Sequence, residues 1–393
     1  MLSVPRILFI SLTSDSDNND HQRVDAINRL GTLDCRAIIP ETCRLDGAAS
    51  TRDIAVPLFF RVPQHVYLSH LPFAVLNPNL VRKINGVIQA FNPDIIHLRF
   101  LHDGFGSALF CHFVRRTYPN IKIVLETDPC QHNQLRFPFN LFARFTYSYV
   151  HFVIGSTDVA LSAAKRLGYS GKAALVAKSV SGDVFRPRGQ SISRLRFGMP
   201  QDKRVMGYIG PLTKSAGLPF LLDALTRCDQ TTSCWIVGDG PEKKSIIHTI
   251  TTLGLQDRVV VLPMQYGTPL AELYSAFDGI VMPAITQEVW RTSAHRVCLE
   301  ASQVECSIVV PEATITRETL ANDVFMFENG NVDALVDVLN GGSLDSDLAN
   351  TMAVSLKHRV GLVSDVHNIA PKLAAIWKYL HGESSEPAFT VNL

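Results

Sequence analysis

The clearest structural pattern in the sequence lies between Val205 and Arg227. It reads Val205-Met-Gly-Tyr-Ile209, then Gly210-Pro-Leu-Thr-Lys-Ser-Ala-Gly217, then Leu218-Pro-Phe-Leu-Leu-Asp-Ala-Leu-Thr-Arg227. A short apolar run that ends at a glycine predicts a buried strand, and leucines three and four residues apart predict an amphipathic helix. A strand, a glycine-containing turn and a helix in this order make up the first part of a βαβ unit, whose strands are parallel.

The same alternation extends through the rest of the chain. In the second half the predicted strands are Val205–Ile209, Cys234–Val237, Arg258–Leu262, Gly279–Met282 and Ser307–Val310. In the first half they are Ile7–Ser11, Ala37–Pro40, Ile95–Leu98, Ile121–Glu126 and Phe152–Gly155. Because helical patterns separate these runs, the sequence predicts an α/β protein with mostly parallel sheets.

A break in the pattern divides the chain into two parts of similar size. The segment before Val205 contains Pro187, Gly189 and Pro200 and has no apolar periodicity, which is typical of a linker. In chain order, we predict an N-terminal Rossmann-like domain (1–185), the linker (186–203), a C-terminal Rossmann-like domain (204–363), a helix (364–382) and a tail (383–393).

Composition and charge exclude several classes of protein. Of the 393 residues, 46% are apolar and 19% are charged, so a large core can form and disorder is not expected. The 37 Lys and Arg residues are balanced by 36 Asp and Glu residues, which argues against a nucleic-acid partner. No apolar run approaches the roughly 18 residues of a membrane span. Eight cysteines without a C-x-x-C spacing indicate reduced thiols, and we expect a cytoplasmic protein.

Two loops at predicted strand ends contain glycines where a ligand could approach. In open parallel sheets, ligands bind beyond the carboxyl ends of the strands. The backbone N–H groups of Gly210–Gly217 could face an anion, with Lys214 as a nearby cation, although a tight turn explains Gly210 equally well. Gly238 opens the corresponding turn after the next strand, which is a strong signal of the fold and a weak signal of chemistry.

A third segment leads into the predicted helix Arg296–Val304. A Ser or Thr cap with free N–H groups suits a phosphate, and basic side chains beside it would add positive charge. Glu300 lies about one turn into this helix, where its carboxylate could accept both hydroxyls of a ribose. The alternative is an ordinary capped helix with one solvated glutamate. The other candidate residues of this segment are Arg291, Thr292, Ser293, Ala294, His295 and Arg296.

Further segments follow in a fixed order. They are Gly217-Leu-x-x-Leu-Leu222, Ile236-Val-Gly-Asp-Gly-Pro241, Leu253-Gly-Leu-x-Asp-Arg-Val259, Leu273-Tyr-Ser-Ala-Phe-Asp278 and Leu299-Glu-Ala301. Together with the loops above, they resemble the nucleotide-sugar domain of retaining glycosyltransferases of the GT-B fold, specifically glycosyltransferase family 4. The resemblance is clearest over Val205 to Leu339, and the N-terminal half matches only in layout. It implies two doubly wound Rossmann-like domains that face each other across a cleft, with the last helix crossing back to the first domain.

The sequence departs from the family pattern at the phosphate loop. The family usually places an Arg after the first glycine and a Lys just before the second, and here those positions are Pro211 and Ala216. Lys214 is the nearest substitute. The family's paired glutamates usually lie eight residues apart, whereas the residue eight before Glu300 is Thr292. These departures leave a second interpretation open, in which the chain is a catalytically silent GT-B subunit.

The resemblance also implies where the first domain would act. At the strand end where relatives often carry His-Asp or His-Gly, this chain reads Leu125-Glu-Thr-Asp128, so the catalytic candidates are Glu126, Asp128 and a histidine, of which we select His102. His97 and His132 are alternatives. The acceptor-side candidates follow the first strand, although a solvated capping turn is at least as good an explanation: Asp20, His21 and Arg23.

The implied reaction is transfer of a sugar from a nucleotide-sugar donor to a saccharide, glycolipid or small-molecule hydroxyl, with retention at the anomeric carbon. No Asp-x-Asp motif sits at a suitable strand end, so we expect no metal and no cofactor other than the nucleotide-sugar as substrate. Sugar-nucleotide epimerases and phosphorylases use the same fold. A setting in polysaccharide biosynthesis follows from the family alone. The aromatic and basic segment Gln134–Tyr149 is either a core helix, the interpretation we favour, or a peripheral contact with the inner face of the membrane.

Overall fold

A computed structural model gives the fold of the chain. It describes residues 4–11, 19–40, 59–62, 78–99, 105–127, 139–283, 294–312, 320, 322–341, 344 and 347–393. These residues form two compact units. The first contains residues 1–179 and 366–393, and the second contains residues 180–365.

The first unit is built on a sheet of eight strands. Its strands are β1 (Arg6–Ser11), β2 (Asp34–Pro40), β3 (Phe59–Val62), β4 (Ile95–Arg99), β5 (Lys122–Thr127), β6 (Phe152–Gly155), β7 (Lys172–Leu175) and β14 (Thr390–Asn392). Its helices are α1 (Asn19–Arg29), α2 (Pro78–Phe91), α3 (Phe105–Thr117), α4 (Phe139–Tyr149), α5 (Asp158–Arg166) and α13 (Val366–His381). The order across the sheet is β14-β7-β6-β5-β4-β1-β2-β3, and all pairs are parallel except β14 with β7.

Helices cover both faces of this sheet because its strands are apolar on both sides. Along β1, Ile7 and Phe9 pack with α1 and α13, whereas Leu8 and Ile10 pack with α2 to α5. A parallel strand that is buried on both faces has a continuous apolar sequence rather than an alternating one, as the run from Ile7 to Ile10 shows.

The second unit contains a sheet of six parallel strands. Its strands are β8 (Arg204–Ile209), β9 (Thr232–Val237), β10 (Val259–Leu262), β11 (Gly279–Val281), β12 (Ser307–Pro311) and β13 (Phe325–Phe327), in the order β10-β9-β8-β11-β12-β13. Its helices are α6 (Gln190–Phe197), α7 (Leu218–Arg227), α8 (Lys243–Thr252), α9 (Gly267–Ala276), α10 (His295–Gln303), α11 (Val332–Asn340) and α12 (Asp347–Ser364). Helices α7, α8 and α11 cover one face, and α9, α10 and α12 cover the other.

The structure therefore has two α/β units with parallel sheets, and each strand that the sequence predicted is present. The predictions for the linker and for the C-terminal tail were wrong. The segment 186–203, predicted as a linker, contains helix α6, whose Arg194 is buried because its guanidinium bonds to the Ala276 carbonyl and the Asp278 carboxylate. The segment 383–393, predicted as a tail, contains β14, which pairs with the edge strand β7.

The last long helix, α13, belongs to the first unit. Its apolar side packs with α1 against β1, β4, β5 and β6. Trp377 lies at the centre of this contact, fully buried, with its ring perpendicular to that of His97 at a centroid distance of 5.5 Å. None of the described helices combines the length and the hydrophobicity of a bilayer-spanning helix.

We predict that Trp377→Ala lowers the free energy of unfolding of the first unit by about 3–5 kcal/mol, because a large cavity opens beside β4. Trp377→Phe should cost clearly less, since the indole Nε1 has no hydrogen-bond partner among the residues that the structure describes. The measurement is urea unfolding followed by circular dichroism. Phe389→Ala, at a partly exposed aromatic near the C-terminus, is the control, and an equal loss in both alanine variants would contradict the prediction.

Candidate functional sites at the two strand-order reversals

Each sheet has one point where the strand order reverses. In the first unit the chain runs from β1 outward through β2 and β3, and then returns to place β4 on the other side of β1. In the second unit β8, β9 and β10 run outward, and β11 returns to the other side of β8. Loops on either side of such a point diverge and leave a crevice at the carboxyl ends of the strands. The candidate sites are therefore the carboxyl ends of β1 and β4, and those of β8 and β11.

Charged side chains are buried at the reversal point of the first unit. Arg23, which is only 1% exposed, donates from Nη1 to Oε2 of Glu126 at 2.8 Å. Arg99, the last residue of β4, forms an ion pair with Asp20 and places its Nε 3.5 Å from Oε1 of Glu126. The Ser11 hydroxyl at the end of β1 also donates to Asp20. Two arginines and two carboxylates thus form one network across β1, β4, β5 and α1.

His97 lies at the apolar edge of this network. Its Nε2 is 3.4 Å from Oε2 of Glu126, and its ring lies between Phe9, at 4.7 Å, and Trp377. Burial lowers the pKa of His97, and the neighbouring arginines lower it further, against the opposing effect of Glu126. The imidazole is therefore neutral at neutral pH.

Glu126 stays ionised in this environment. Burial alone would raise its pKa, but Arg23, Arg99 and His97 outweigh burial and hold the pKa of Glu126 well below its usual range. A general base works best with a pKa near the operating pH. The geometry therefore does not favour Glu126 as a proton acceptor, and its chemical role in the network is to neutralise and orient the two arginines.

The structure brings together three of the residues predicted from the sequence, namely Asp20, Arg23 and Glu126, and buries His21 beside them. The alternative of a solvated capping turn at Asp20 to Arg23 is wrong, because these side chains are buried. The predicted catalytic residues His102 and Asp128 lie outside the described residues. The sequence analysis missed Arg99. The signal that could have identified Arg99 is its position directly after the apolar run Ile95–Leu98, which places a cation at the carboxyl end of a predicted strand.

In the second unit, the loop after β8 and the loop after β9 are joined through their backbones. Gly210 N–H donates to the Val237 carbonyl at 3.1 Å, and Leu212 N–H donates to the Asp239 carbonyl at 2.9 Å. A Cβ atom on Gly238 would lie 2.0 Å from the Gly210 oxygen, so only glycine fits there. These contacts give Gly238 a packing role and engage the N–H groups of Gly210 and Leu212 within the protein.

Lys214 is the cation that this loop offers. It opens a short 3₁₀ turn (Lys214–Ala216), is exposed, and forms no ion pair with any described residue. Gly217 closes the turn with a left-handed φ of 73°, a conformation that glycine adopts without strain. A phosphate at the end of β8 would therefore meet Lys214 rather than the N–H groups of Gly210 and Leu212.

Glu300 lies on α10, behind the end of β11, and is not a solvated surface residue. Its side chain is almost completely buried, which excludes that alternative. Oε2 accepts a hydrogen bond from the Tyr274 hydroxyl at 2.9 Å, and Oε1 lies 3.5 Å from Nε of Arg296. Burial, and next the Glu300 carboxylate, raise the pKa of Tyr274 well above its usual range, so the hydroxyl keeps its proton and donates.

The remaining predicted donor residues are only partly accounted for. Ala294, which directly precedes α10, has helical backbone angles and is buried. His295 and Arg296 lie in the first turn of α10. Arg291, Thr292 and Ser293 lie outside the described residues, so the predicted phosphate cap stays a prediction. Within the described parts of the chain, no group of three or more His, Cys, Asp or Glu side chains is arranged to hold a metal ion.

The burial of the Arg23–Glu126 pair leads to a test of the network. We predict that Glu126→Gln lowers the free energy of unfolding by about 3–5 kcal/mol at neutral pH, because it leaves the buried Arg23 without its counter-charge. A carboxyl with a lowered pKa stabilises the fold above its unfolded pKa of about 4.3, and this stabilisation is lost as the pH falls through the folded pKa. The difference in the free energy of unfolding between the unaltered protein and Glu126→Gln should therefore shrink below about pH 4.3.

The control for this test is Glu386→Gln. The Lys172–Glu386 pair has the same 2.8 Å separation as Arg23–Glu126 but is partly exposed, so its loss should cost at most about 1 kcal/mol. Urea unfolding across a pH series measures both variants. Equal losses, or a difference that does not change with pH, would show that the network carries no special electrostatic stabilisation.

Comparison with known proteins shows which family and which fold this chain resembles. Residues 190–355 match the model of the family described as "Glycosyl transferases group 1". D-inositol 3-phosphate glycosyltransferase of Mycolicibacterium smegmatis is 25% identical over 111 residues, which cover 27% of this chain and 25% of that protein. The corresponding protein of Mycobacterium tuberculosis F11 is 29% identical over 111 residues, or 27% of this chain and 23% of that protein. The match thus spans about a quarter of the length of these relatives.

Solved structures match over nearly the whole chain. Sucrose-phosphate synthase from Thermosynechococcus elongatus aligns with a TM-score of 0.75 at 16% identity, covering 97% of this chain and all of that one. HepE of Anabaena, in complex with UDP and glucose, aligns with a TM-score of 0.71 at 19% identity, covering 95% of this chain and all of that one. At these identities the alignments establish the fold. The chain has the GT-B fold, and its residues 190–355 match the glycosyl transferases group 1 family.

Proposed function

We propose that this protein is a retaining glycosyltransferase of family 4 that moves a sugar from a nucleotide-sugar donor to an acceptor hydroxyl without a metal ion. The observation that carries the proposal is the group 1 domain match over residues 190–355, a segment that contains Lys214 and the buried Glu300. HepE of Anabaena is known in complex with UDP-glucose, and this supports a nucleotide-sugar as the donor here.

The second unit is the proposed donor side. The chemical demand is to stabilise the departing diphosphate and the positive charge that develops on the sugar. Lys214 and the first turn of α10 would offset the phosphate charge, while the carboxylate of Glu300 would accept hydroxyls of the ribose. The leaving phosphate can take the proton of the acceptor hydroxyl. No protein base is then needed, which agrees with the low pKa of Glu126.

The first unit is the proposed acceptor side. Asp20, Arg23 and Arg99 lie at the reversal point between β1 and β4, where polar groups of an acceptor could bind. A saccharide or a lipid-linked saccharide fits the setting in polysaccharide or glycolipid assembly that the resemblance implies, with peripheral contact at the inner face of the membrane. The relatives named for D-inositol 3-phosphate add a phosphorylated cyclic polyol to the acceptors to be assayed.

Nucleotide binding is the first test of the proposal. Calorimetry with UDP, GDP, ADP and dTDP should show micromolar binding of one of them, and transfer assays with the matching sugar nucleotide should give a product whose anomeric configuration, read by NMR, equals that of the donor. Activity should survive EDTA. Absence of binding to all four nucleotides would move the silent subunit to first place, an interpretation that Pro211, Ala216 and the engaged N–H groups of Gly210 and Leu212 favour.

We predict that Glu300→Gln weakens nucleotide binding by about 1.5–3 kcal/mol, the usual worth of a hydrogen bond to a charged group, with little change in melting temperature. The Tyr274 hydroxyl can still donate to the amide oxygen of the variant, so α9 and α10 stay joined. Calorimetry beside a thermal melt makes the measurement. Unchanged affinity would mean that this glutamate only connects the two helices.

Tyr274→Phe should weaken the same binding by a smaller amount, about 0.5–1.5 kcal/mol, because it removes the neutral hydrogen bond that holds Oε2 of Glu300. It should also reduce the preference for a ribonucleotide over the 2′-deoxyribonucleotide. The matched control is Tyr169→Phe in the first unit, whose buried hydroxyl donates to the Lys172 carbonyl at 2.7 Å. If the unaltered protein, Tyr274→Phe and Tyr169→Phe all show the same ribose preference, a positioning role for Tyr274 is refuted.

A further inference from the structure

Three neighbouring helices of the first unit carry basic residues and no acidic ones. Helices α2, α3 and α4 contain five Arg and Lys residues and not a single Asp or Glu. The whole chain has a formal net charge of only +1. The positive charge of these helices is therefore a local asymmetry, and local asymmetry of this kind marks an interaction surface.

The basic side chains point away from the core. All three helices pack on the same face of the sheet, with Ile84, Phe110 and Tyr147 among their buried residues. Their opposite sides therefore face outward in a common direction. The Tyr118 hydroxyl donates to Asn85 at 2.6 Å and connects the end of α3 to α2, and His112 lies 3.0 Å from the Tyr149 hydroxyl and connects α3 to α4.

Four of the five basic residues are exposed and lack an acidic partner among the described residues. They are Arg82, Lys83, Arg116 and Arg144. Two exposed arginines of the second unit are instead paired with acids of their own unit: Arg196 with Glu272, and Arg227 with Asp223 and Asp333. The face on α2 to α4 thus offers positive charge that the protein itself does not neutralise.

Large apolar side chains lie exposed among these charges. Leu109 on α3 is 41% exposed, and Leu141 and Phe145 on α4 are 42% and 50% exposed. Helix α4 buries Ala143, Thr146 and Tyr147, so the core-helix interpretation accounts for only one side of it. Its other side, with Leu141, Arg144 and Phe145, has the composition of a helix that lies in a membrane interface.

We infer that this basic face, consisting of Arg82, Lys83, Leu109, Arg116, Leu141, Arg144 and Phe145, docks on an anionic lipid surface. Arginine and lysine side chains are attracted to anionic headgroups, and leucine and phenylalanine insert at the boundary between headgroups and acyl chains. A nucleic acid would use the charges but would leave the apolar side chains exposed. The inference rests on the proposed function only in that a lipid-linked acceptor gives the docking a purpose.

The test is flotation of the full chain with vesicles of phosphatidylcholine alone and with vesicles of an equal mixture of phosphatidylcholine and phosphatidylglycerol. We expect binding to the anionic vesicles only, and a loss of binding at high salt. The variant Arg144→Glu/Phe145→Ser should bind about tenfold more weakly or worse. Its matched control in the second unit is Arg186→Glu/Ile192→Ser, which makes the same changes at an exposed arginine and an exposed apolar residue and should bind as the unaltered protein does.

Several outcomes would overturn the inference. They are the absence of binding to anionic vesicles, an equal loss in the two double variants, and binding to a short DNA duplex that depends on Arg144 while vesicle binding is absent. Thermal melts of both variants confirm that they are folded. UDP affinity is measured on the same samples. Loss of vesicle binding with nucleotide binding intact therefore separates a failure of this inference from a failure of the proposed function.

Discussion

The parallel pairing of the strands governs the architecture of both units. A parallel strand cannot return by a tight turn, so each connection must cross the sheet as a helix, and helices then cover both faces. Because both faces are buried, charged side chains are tolerated within the sheet mainly at the strand ends. Because all parallel strands end at the same edge, the chemistry of each unit collects there, and the reversal of strand order beside β1 and β8 selects the place along that edge.

The two reversal points satisfy this constraint with different chemistry. In the first unit, ion pairs across four elements hold Asp20, Arg23, Arg99 and Glu126, and two positive charges meet two negative ones below the surface. A buried network of this kind contributes little net stability but makes any single loss costly. In the second unit, backbone hydrogen bonds and close glycine contacts join the loops after β8 and β9, and charge is left to an exposed lysine, Lys214.

The sequence was sufficient for the elements with strong local signals and insufficient for contacts between distant residues. Apolar runs such as Ile7–Ser11 identify strands because burial on both faces leaves no other composition. Strand β7, Lys-Ala-Ala-Leu, escaped prediction because alanine favours no strand, and β14 forms only because β7 offers a free edge. Likewise Glu300 could be located from its place in a helix, but its bond to Tyr274 could not, because 26 residues separate the two.

Glu126 and Glu300 show how surroundings give the same side chain two uses. Both are buried, so each carboxylate must be compensated. Glu126 faces two guanidinium groups, which keep it a permanent anion and use its oxygens in ion pairs. Glu300 instead accepts a hydrogen bond from a neutral hydroxyl on Oε2 and has Nε of Arg296 at the longer distance of 3.5 Å from Oε1. Two guanidinium groups therefore hold Glu126 in an ion-pair network, whereas the Tyr274 hydroxyl connects Glu300 on α10 to α9.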